Sequence, residues 1–482
     1  MRKNILQLQE KSSGLEPGRQ TRKEFEKKAV DICDRFFESV DEQPAYRVFD
    51  ESVNDILDAS IPAEPEQSQQ VFNDFEQNIL PPGLNPASGK HFGYIPGGGL
   101  MTSAVGDYIA AATNRYAGVY FSSPGAVLME TRLINWMASL VGYGKRAGGY
   151  LSSGGSIANL SAVVTARDNA GLESGRFSKA VVYLSSQTHH CVERALNIAG
   201  LGDSVRRFIR LDEKYRMISA DLEKQIREDR EKGLIPWMIV ASAGSTDTGA
   251  VDPLNDIAGI ADRENLWYHV DAAYGGFFLL AENGRQKLAG IEHADSVVLD
   301  PHKGMFLPYG VGALVVKDIE KLAKAHAYSA NYMKDTEVYS QIYSPADLSP
   351  ELSKHFRALR MWLPLKLHGV NAFKHALEEK IYLSQYAWQK LDEMDDIEAG
   401  PKPQLSVFMF RWKPKRGSAD ELNKLLHQAI VEDGEVFLST TRIKGKFVLR
   451  MAILSVRTHL ADVDRFLEIV REKIEELKSK KL

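Results

Sequence analysis

Three side chains in one stretch of this sequence have the types that carbonyl chemistry needs. Ser296-Val-Val-Leu-Asp-Pro-His-Lys-Gly-Met-Phe sets Asp300, His302 and Lys303 directly after a short apolar run. Val297, Val298 and Leu299 read as a buried strand, which Asp300-Pro301 ends. Open α/β sheets bind ligands just past strand ends, where Lys303 falls. A lysine drawn partly out of water there is expected to lose its proton more readily and to attack a carbonyl, forming a Schiff base. Upstream, Asn265-Leu-Trp-Tyr-His-Val-Asp-Ala-Ala-Tyr-Gly-Gly reads as a second strand, ending in the carboxylate of Asp271. The separation of 32 positions between Asp271 and Lys303 leaves room for a connection and one more strand. Adjacent strands would then present an acid and an amine to one crevice.

Pyridoxal phosphate needs this pair. A lysine holds its aldehyde, and a carboxylate keeps its ring nitrogen protonated so that the ring accepts electrons. His269-Val-Asp271-Ala-Ala273 and Asp300-Pro-His302-Lys303 resemble the signatures of the pyridoxal-phosphate-dependent group II amino-acid decarboxylases. Aromatic-L-amino-acid and glutamate decarboxylases are familiar members. The resemblance runs from about residue 22 to the C-terminus. It implies an α/β fold of type I, with a mostly parallel seven-stranded sheet and helices on both faces. The expected domains are an N-terminal helical arm (1–90), a large cofactor-binding domain (91–370) and a small α+β domain (371–482).

Elements upstream must supply the rest of such a site. Gly148-Gly-Tyr-Leu-Ser-Ser-Gly-Gly-Ser-Ile-Ala-Asn-Leu passes from strand through a glycine-rich turn into helical periodicity. A helix start offers free N–H groups and a positive dipole end to an anion, so Gly155 and Ser156 are expected at the cofactor phosphate. No Gly-Lys-Ser/Thr follows, so it is not a Walker motif. Ala180-Val-Val-Tyr-Leu-Ser-Ser-Gln-Thr-His-His-Cys brings His189 and His190 to another strand–helix junction. The resemblance implies that His189 stacks flat on the cofactor ring; His190 has no assigned role. It adds Thr246, Ala273, Asp300 and His302 to the cofactor set of Gly155, Ser156, His189, Asp271 and Lys303. Asp300 stands where the aromatic enzymes usually carry asparagine.

For the substrate, the resemblance points to the loop His91-Phe-Gly-Tyr-Ile-Pro-Gly-Gly-Gly and to a second wall at 114–124. Tyr94, Pro96, Gly97 and Tyr120 are the expected lining residues, and Arg450 aligns with an arginine near the substrate carboxylate. Ile95-Pro96-Gly97 departs from the aromatic-Pro-Thr typical of aromatic decarboxylases. The tyrosine-rich, non-periodic stretch 326–352 reads as a lid. Its Tyr332-Met-Lys aligns with the family's Tyr-Leu-Lys, whose tyrosine donates a proton. Lys303, Tyr332 and His189 are therefore the expected catalytic residues.

The outer parts of the chain are read from periodicity. Residues 1–20, with Gly14, Pro17 and Gly18, are expected to be a loose tail. Phe25, Ala29, Ile32, Phe36 and Val40 recur at helical spacing, predicting an amphipathic helix over 21–40. The stretch 60–70 reads as a linker, and Phe72, Phe75 and Ile79 mark another helix. A helical region is expected from Phe356 to about Met394, then strands at Val407–Trp412 and 447–454. The arm either folds back on its own chain or buries its apolar face on a partner; the resemblance implies a homodimer.

A chain of 482 residues buries a large core, and its net charge of −4 gives no electrostatic case for nucleic acid. No apolar run is long enough to span a membrane, and no signal-peptide core opens the chain. Cys33 and Cys191 are the two cysteines, which with no secretory signal points to a reducing cytoplasm. No Cys/His cluster has metal-ligand spacing, so no metal is expected. The expected reaction is decarboxylation of an L-amino acid, aromatic or large and apolar, to the amine. Glutamate or another polar amino acid is the alternative substrate. Two further alternatives are an aldehyde synthase, in which phenylalanine replaces the loop tyrosine, and a silent cofactor-binding regulatory protein.

Overall fold

The computed structural model describes residues 1–49, 51–54, 56, 60–327 and 342–480. Its central sheet is built from β1 (Gly148–Ser152), β2 (Ala180–Ser185), β3 (Val205–Ile209), β4 (Ile235–Ser242), β5 (Trp267–Asp271), β6 (Ser296–Leu299) and β7 (Gly312–Val316). The spatial order is β1-β7-β6-β5-β4-β2-β3. Strands from β6 to β3 pair in parallel, while β7 runs antiparallel to both β1 and β6. Every residue of β5 and β6 is buried. Continuous burial explains their unbroken apolar runs, because a mostly parallel sheet is covered on both faces.

Alternation along β6 and β7 divides the core into layers. Val297, Leu299, Ala313 and Val315 point into one cluster with Leu133 and Met137 of the helix α4 (Pro124–Val141). Val298, Leu314 and Val316 point the other way, onto Ala158 and Ala162 of α5 (Gly155–Asn169). That period-two switch makes the three-layer α/β arrangement. A second sheet of Ile397–Ala399, Val407–Trp412, Lys446–Ala452 and Ser439–Ile443, in that order, is antiparallel throughout. It carries its own apolar cluster with the helices Ala419–Asp433 and Leu460–Ser479.

One expectation needs correction. Residues 1–20 are not a loose tail, because α1 (Arg2–Ser12) forms there, although none of its residues is buried. Leu, Gln, Lys and Glu dominate it, and their side chains lose little rotamer freedom in a helix. The helical region expected from Phe356 to about Met394 is present. Ala358–Asp392 is broken at Gly369, whose φ of 72° and ψ of 160° are outside helical values. The arm helix α2 (Arg19–Ser39) leans on the following segment, with Phe25 and Phe72 rings 6.3 Å apart and Arg35 forked onto Glu76. Among its residues only Ile32 is buried.

A buried ion pair ties the edge of the large sheet to the segment around Lys354. Lys354 Nζ lies 3.2 Å from Glu130 Oε1 with side chains 0% and 3% exposed. The same oxygen accepts the Leu151 amide of β1 at 2.9 Å. Lys354→Met leaves Glu130 buried without its cation, and should cost about 3–5 kcal/mol in chemical denaturation. Adding Glu130→Gln, which keeps an acceptor for Leu151, should recover most of that loss.

Candidate active site

Parallel pairing sets the site's geometry. His269, Val270 and Asp271 of β5 stand opposite Ser296, Val297 and Val298 of β6. Both strands therefore end at one edge, where Asp271 and the turn Pro301–Gly304 meet. Asp300 precedes that turn and accepts Lys303 Nζ at 3.0 Å, with side chains 2% and 23% exposed. The other carboxylate oxygen, Asp300 Oδ1, is buried with no protein partner. Asp271 Oδ1 accepts the Ala273 amide at 3.1 Å, and Oδ2 accepts Asn159 Nδ2 at 3.3 Å.

Here the expected ease of proton loss from Lys303 is corrected. Burial pushes its amine pKa down, but Asp300, and behind it Asp271, push harder the other way, and the net direction is up. Without a ligand, the site holds an ammonium rather than a free amine. The nearby imidazoles move oppositely. His189 is lowered by burial, with Asp271 opposing and His190 adding to the shift. His302 is lowered mainly by burial as well. Its Nδ1 lies 2.6 Å from the Val311 carbonyl, an acceptor only, so that nitrogen carries a proton.

A cavity of about 290 Å³ opens over these groups. Its walls include Gly155, Ser156, His189, Thr246, Asp271, Ala273, Asp300, His302 and Lys303. Gly155 begins α5, and a Cβ added there would meet Asp300 Oδ2 at 2.9 Å and Ala273 Cβ at 3.3 Å. His189 sits just before α6 (His190–Ile198), where its Nδ1 accepts the Cys191 amide at 3.3 Å. The His190 ring lies 4.1 Å from that of His189, tilted by 38°. Tyr332 lies outside the described residues.

The residues expected on the substrate side are less gathered. Gly97 lies against the lysine turn, and a Cβ on it would fall 2.4 Å from the His302 carbonyl oxygen. It lines a second cavity of about 450 Å³, which His302 shares with the first. Tyr94, Pro96, Tyr120 and Arg450 line neither cavity. Tyr94 is 56% exposed, and Tyr120 donates its amide to Ser344 Oγ at 3.0 Å. Arg450 is buried, donating to the carbonyls of Thr246 at 2.6 Å and Tyr94 at 3.0 Å, and to Ser439 Oγ at 2.8 Å. Its Nη2 is buried with no protein partner.

Asn159 lines the smaller cavity and His269 lies buried behind it, and neither was among the expected site residues. Asn159 lies one helical turn beyond Gly155, a spacing that puts both on one face. His269 shares its strand face with Asp271, two residues on. Both were legible from those periods. Leu307 and Tyr309, and Ile32, Phe36 and Leu80 from the arm, also line the second cavity, and their distance in sequence gives no signal of it.

The fit to a cofactor follows from unmet hydrogen bonds. Asp300 Oδ1 and Gln187 Oε1, on residues of the smaller cavity's wall, are buried acceptors without donors. They suit a ligand that brings a donor, as pyridoxal phosphate does with its phenol, while Asp271 faces the same cavity for the ring N–H. An open, mostly parallel sheet that offers an amine and a carboxylate from adjacent strand ends defines the class, a fold-type I pyridoxal-phosphate enzyme.

The comparisons narrow the class to a family. Residues 51–413 match the pyridoxal-dependent decarboxylase conserved domain. The aromatic-L-amino-acid decarboxylase of Bacillus atrophaeus is 34% identical over 457 residues, 93% of this chain and 94% of that one. A phenylacetaldehyde synthase of Arabidopsis thaliana is 28% identical over 458 residues, 92% and 94% of the two chains. The crystal structure of Oryza sativa TDC with PLP and tryptamine superposes with a TM-score of 0.91 at 25% identity, covering 96% of this chain and 99% of that one. The chain belongs to the pyridoxal-dependent decarboxylase family. It is a carboxy-lyase that uses pyridoxal phosphate to decarboxylate an amino acid. When bound, the cofactor supplies an electron-accepting ring for the bond that releases carbon dioxide.

Removing the Lys303 amine strands Asp300 in the cofactor-free protein. Lys303→Met should cost about 3 kcal/mol, the low end for breaking a buried pair because the lysine is 23% exposed. Asp300→Asn in the same chain should restore most of it. The sign with pH follows from the raised lysine. The pair's contribution is whole below the ordinary lysine value of 10.5 and is lost as pH rises through the higher folded value. Denaturation midpoints of the cofactor-free parent should fall across that range more steeply than those of Lys303→Met.

Proposed function

We propose that this enzyme converts an aromatic L-amino acid to its amine, with Lys303, His189 and Tyr332 as catalytic residues. The larger cavity carries this reading. It meets the cofactor cavity at His302 and is walled by Ile32, Phe36, Leu80, Leu307, Pro308 and Tyr309. Arg35, Arg47 and Glu76 share that wall, with Arg35 forked onto Glu76, and its apolar side chains suit a large ring. Of the relatives named above, the Bacillus atrophaeus protein is an aromatic-L-amino-acid decarboxylase, which agrees with this reading, and the Arabidopsis thaliana protein is a phenylacetaldehyde synthase, which matches the aldehyde-forming alternative.

The residues divide the work. Lys303 holds the cofactor and returns to it when product leaves. Asp271 keeps the ring nitrogen protonated, with Gly155 and Ser156 at the phosphate and Thr246, Ala273, Asp300 and His302 completing the cradle. His189 presents a neutral ring face, since an imidazolium would need a proton on the nitrogen that already accepts the Cys191 amide. Arg450, with its unpaired Nη2, is the candidate for the substrate carboxylate, and Tyr94, Pro96, Gly97 and Tyr120 belong to the loops around it. Tyr332 delivers the proton to the α-carbon. A screen of all standard L-amino acids for amine and carbon dioxide tests the substrate. Activity confined to glutamate or another polar amino acid would sink this reading.

Tyr332→Phe keeps the ring but removes the proton. Amine formation should fall by roughly a hundredfold to ten-thousandfold, the usual value of general-acid catalysis. Aldehyde, ammonia and peroxide should appear in its place as dioxygen reacts instead. Amine at the parent rate without peroxide would show that Tyr332 only packs.

The enzyme is proposed to work as a homodimer in a reducing cytoplasm. Its arm leaves an apolar face uncovered, with Phe25 38% and Val30 55% exposed. The helix α3 (Met101–Thr113) adds Met101, Val105 and Ile109, exposed by 50%, 38% and 42% along one side. Cys33 is exposed and free, and no helix of the described residues is long and apolar enough to cross a membrane. Sedimentation should give a dimer at micromolar concentration, and Val105→Asp/Ile109→Asp should shift it toward monomer. A fully active parent monomer would contradict the proposal.

A further inference from the structure

Behind Asp271 runs a line of buried polar groups that packing alone does not require. Trp267 Nε1 donates to Ser296 Oγ at 2.9 Å, and Ser296 Oγ lies 2.8 Å from His269 Nδ1. His269 Nε2 lies 2.8 Å from Asn159 Oδ1. Asn159 Nδ2 then donates to the Gly155 carbonyl at 3.0 Å and to Asp271 Oδ2 at 3.3 Å, with Cys191 Sγ at 3.4 Å. Trp267, His269 and Asp271 alternate onto one face of β5, and Ser296 is the strand partner of His269. Trp267 is 8% exposed, Asp271 8%, and the three between them at most 1%.

The direction of every bond in this line is determined from its ends. An indole N–H is only a donor, and a carbonyl or a carboxylate is only an acceptor. Asn159 must therefore turn its amide nitrogen to Gly155 and Asp271; flipped, it would set oxygen against two acceptors. Its Oδ1 then requires a proton on His269 Nε2. A neutral His269 has a bare Nδ1, which takes the hydroxyl proton of Ser296, whose oxygen takes the Trp267 N–H. Burial supports that neutral form, pushing His269 down to about 4. All the donors point toward Asp271.

We propose that Trp267, Ser296, His269 and Asn159 form a one-way donor chain whose function is to hold the Asp271 carboxylate for the cofactor's ring nitrogen. His269 and Asn159 are positioning residues. His269 lies behind the cavity wall and Asn159 on it, and both act through Asp271. Asn159 fills one site on Oδ2 while the Ala273 amide fills one on Oδ1, which leaves the carboxylate a single orientation toward the cavity. A free carboxylate would rotate and re-form its bonds each time the ring charge changed. Held this way, it needs no rearrangement. The proposal rests on the pairing of Asp271 with the ring nitrogen, which the experiment tests separately.

The probes are pyridoxal phosphate and its 1-deaza analogue, which has carbon in place of the ring nitrogen. Dissociation constants are measured for both by titrating cofactor-free protein. Asn159→Leu should weaken pyridoxal phosphate roughly tenfold to a hundredfold, the usual worth of a hydrogen bond to a charged group, and leave the analogue nearly unchanged. His269→Leu should act in the same direction. His269→Gln, which offers an N–H to Asn159 and an oxygen to Ser296, should stay within about threefold of the parent. Equal weakening of both probes by Asn159→Leu and His269→Leu, or no weakening, would overturn the donor chain. Asp271→Asn is the control: if it weakens both probes equally, the ring-nitrogen pairing itself falls. Nitrogen-15 NMR of the parent requires no variant. It should find the His269 proton on Nε2, and a proton on Nδ1 would overturn the assigned direction.

Discussion

Two neighbouring parallel strands end together, and each delivers a charge to a place that water hardly reaches. Everything around the site answers that constraint. Asp300 is 1% exposed and takes Lys303 as its partner. Gly155 has no side chain because the helix start must lie against Asp300 and Ala273. Asp271 has both oxygens engaged by protein N–H groups. A buried charge without such partners would cost several kcal/mol, so the pairing and the close packing are one requirement.

The same environment sorts the ionisable groups. Burial drives three imidazoles, His189, His269 and His302, toward the neutral form. Burial alone would also neutralise Lys303, yet its carboxylate neighbours reverse that. The crevice is thus a small set of fixed charges walled by neutral rings. Neutral rings add polarisable surface and chosen hydrogen-bond directions without adding charge to be balanced. Cys191, buried beside Asp271, has its thiol pushed up by the same burial and stays protonated.

Loops from distant parts of the chain close the site through arginines on or beside the second sheet. Arg450 holds the carbonyls of Thr246 and Tyr94, and Arg457 holds those of Ala87, Gly98 and Gly99. These bonds press the loop with Gly97 onto the lysine turn, where no side chain would fit. A guanidinium with several donors suits this task, because one side chain satisfies carbonyls from separate segments that have no strand partner. The C-terminal sheet therefore holds the Gly97 loop against a cavity whose walls come from the ends of the first sheet.

What the sequence determined by itself was local. Apolar runs ending in Asp271 and in Asp300-Pro-His-Lys303 marked two buried strands. The glycine-rich turn before Ile157 marked a helix start. Periodicity carries such facts because it reflects which side of an element meets water. It missed the helix at Arg2–Ser12, whose residues favour a helix while burying nothing. It also misjudged the protonation of Lys303, because a pKa depends on distance to charges rather than on the order of residues. Tertiary structure alone brought Phe36 and Leu80 near His302, turned Arg450 onto two loops, and aligned four donors behind Asp271. Those contacts join segments tens to hundreds of residues apart, and only the register of the sheet and the packing of its helices decide which of them meet.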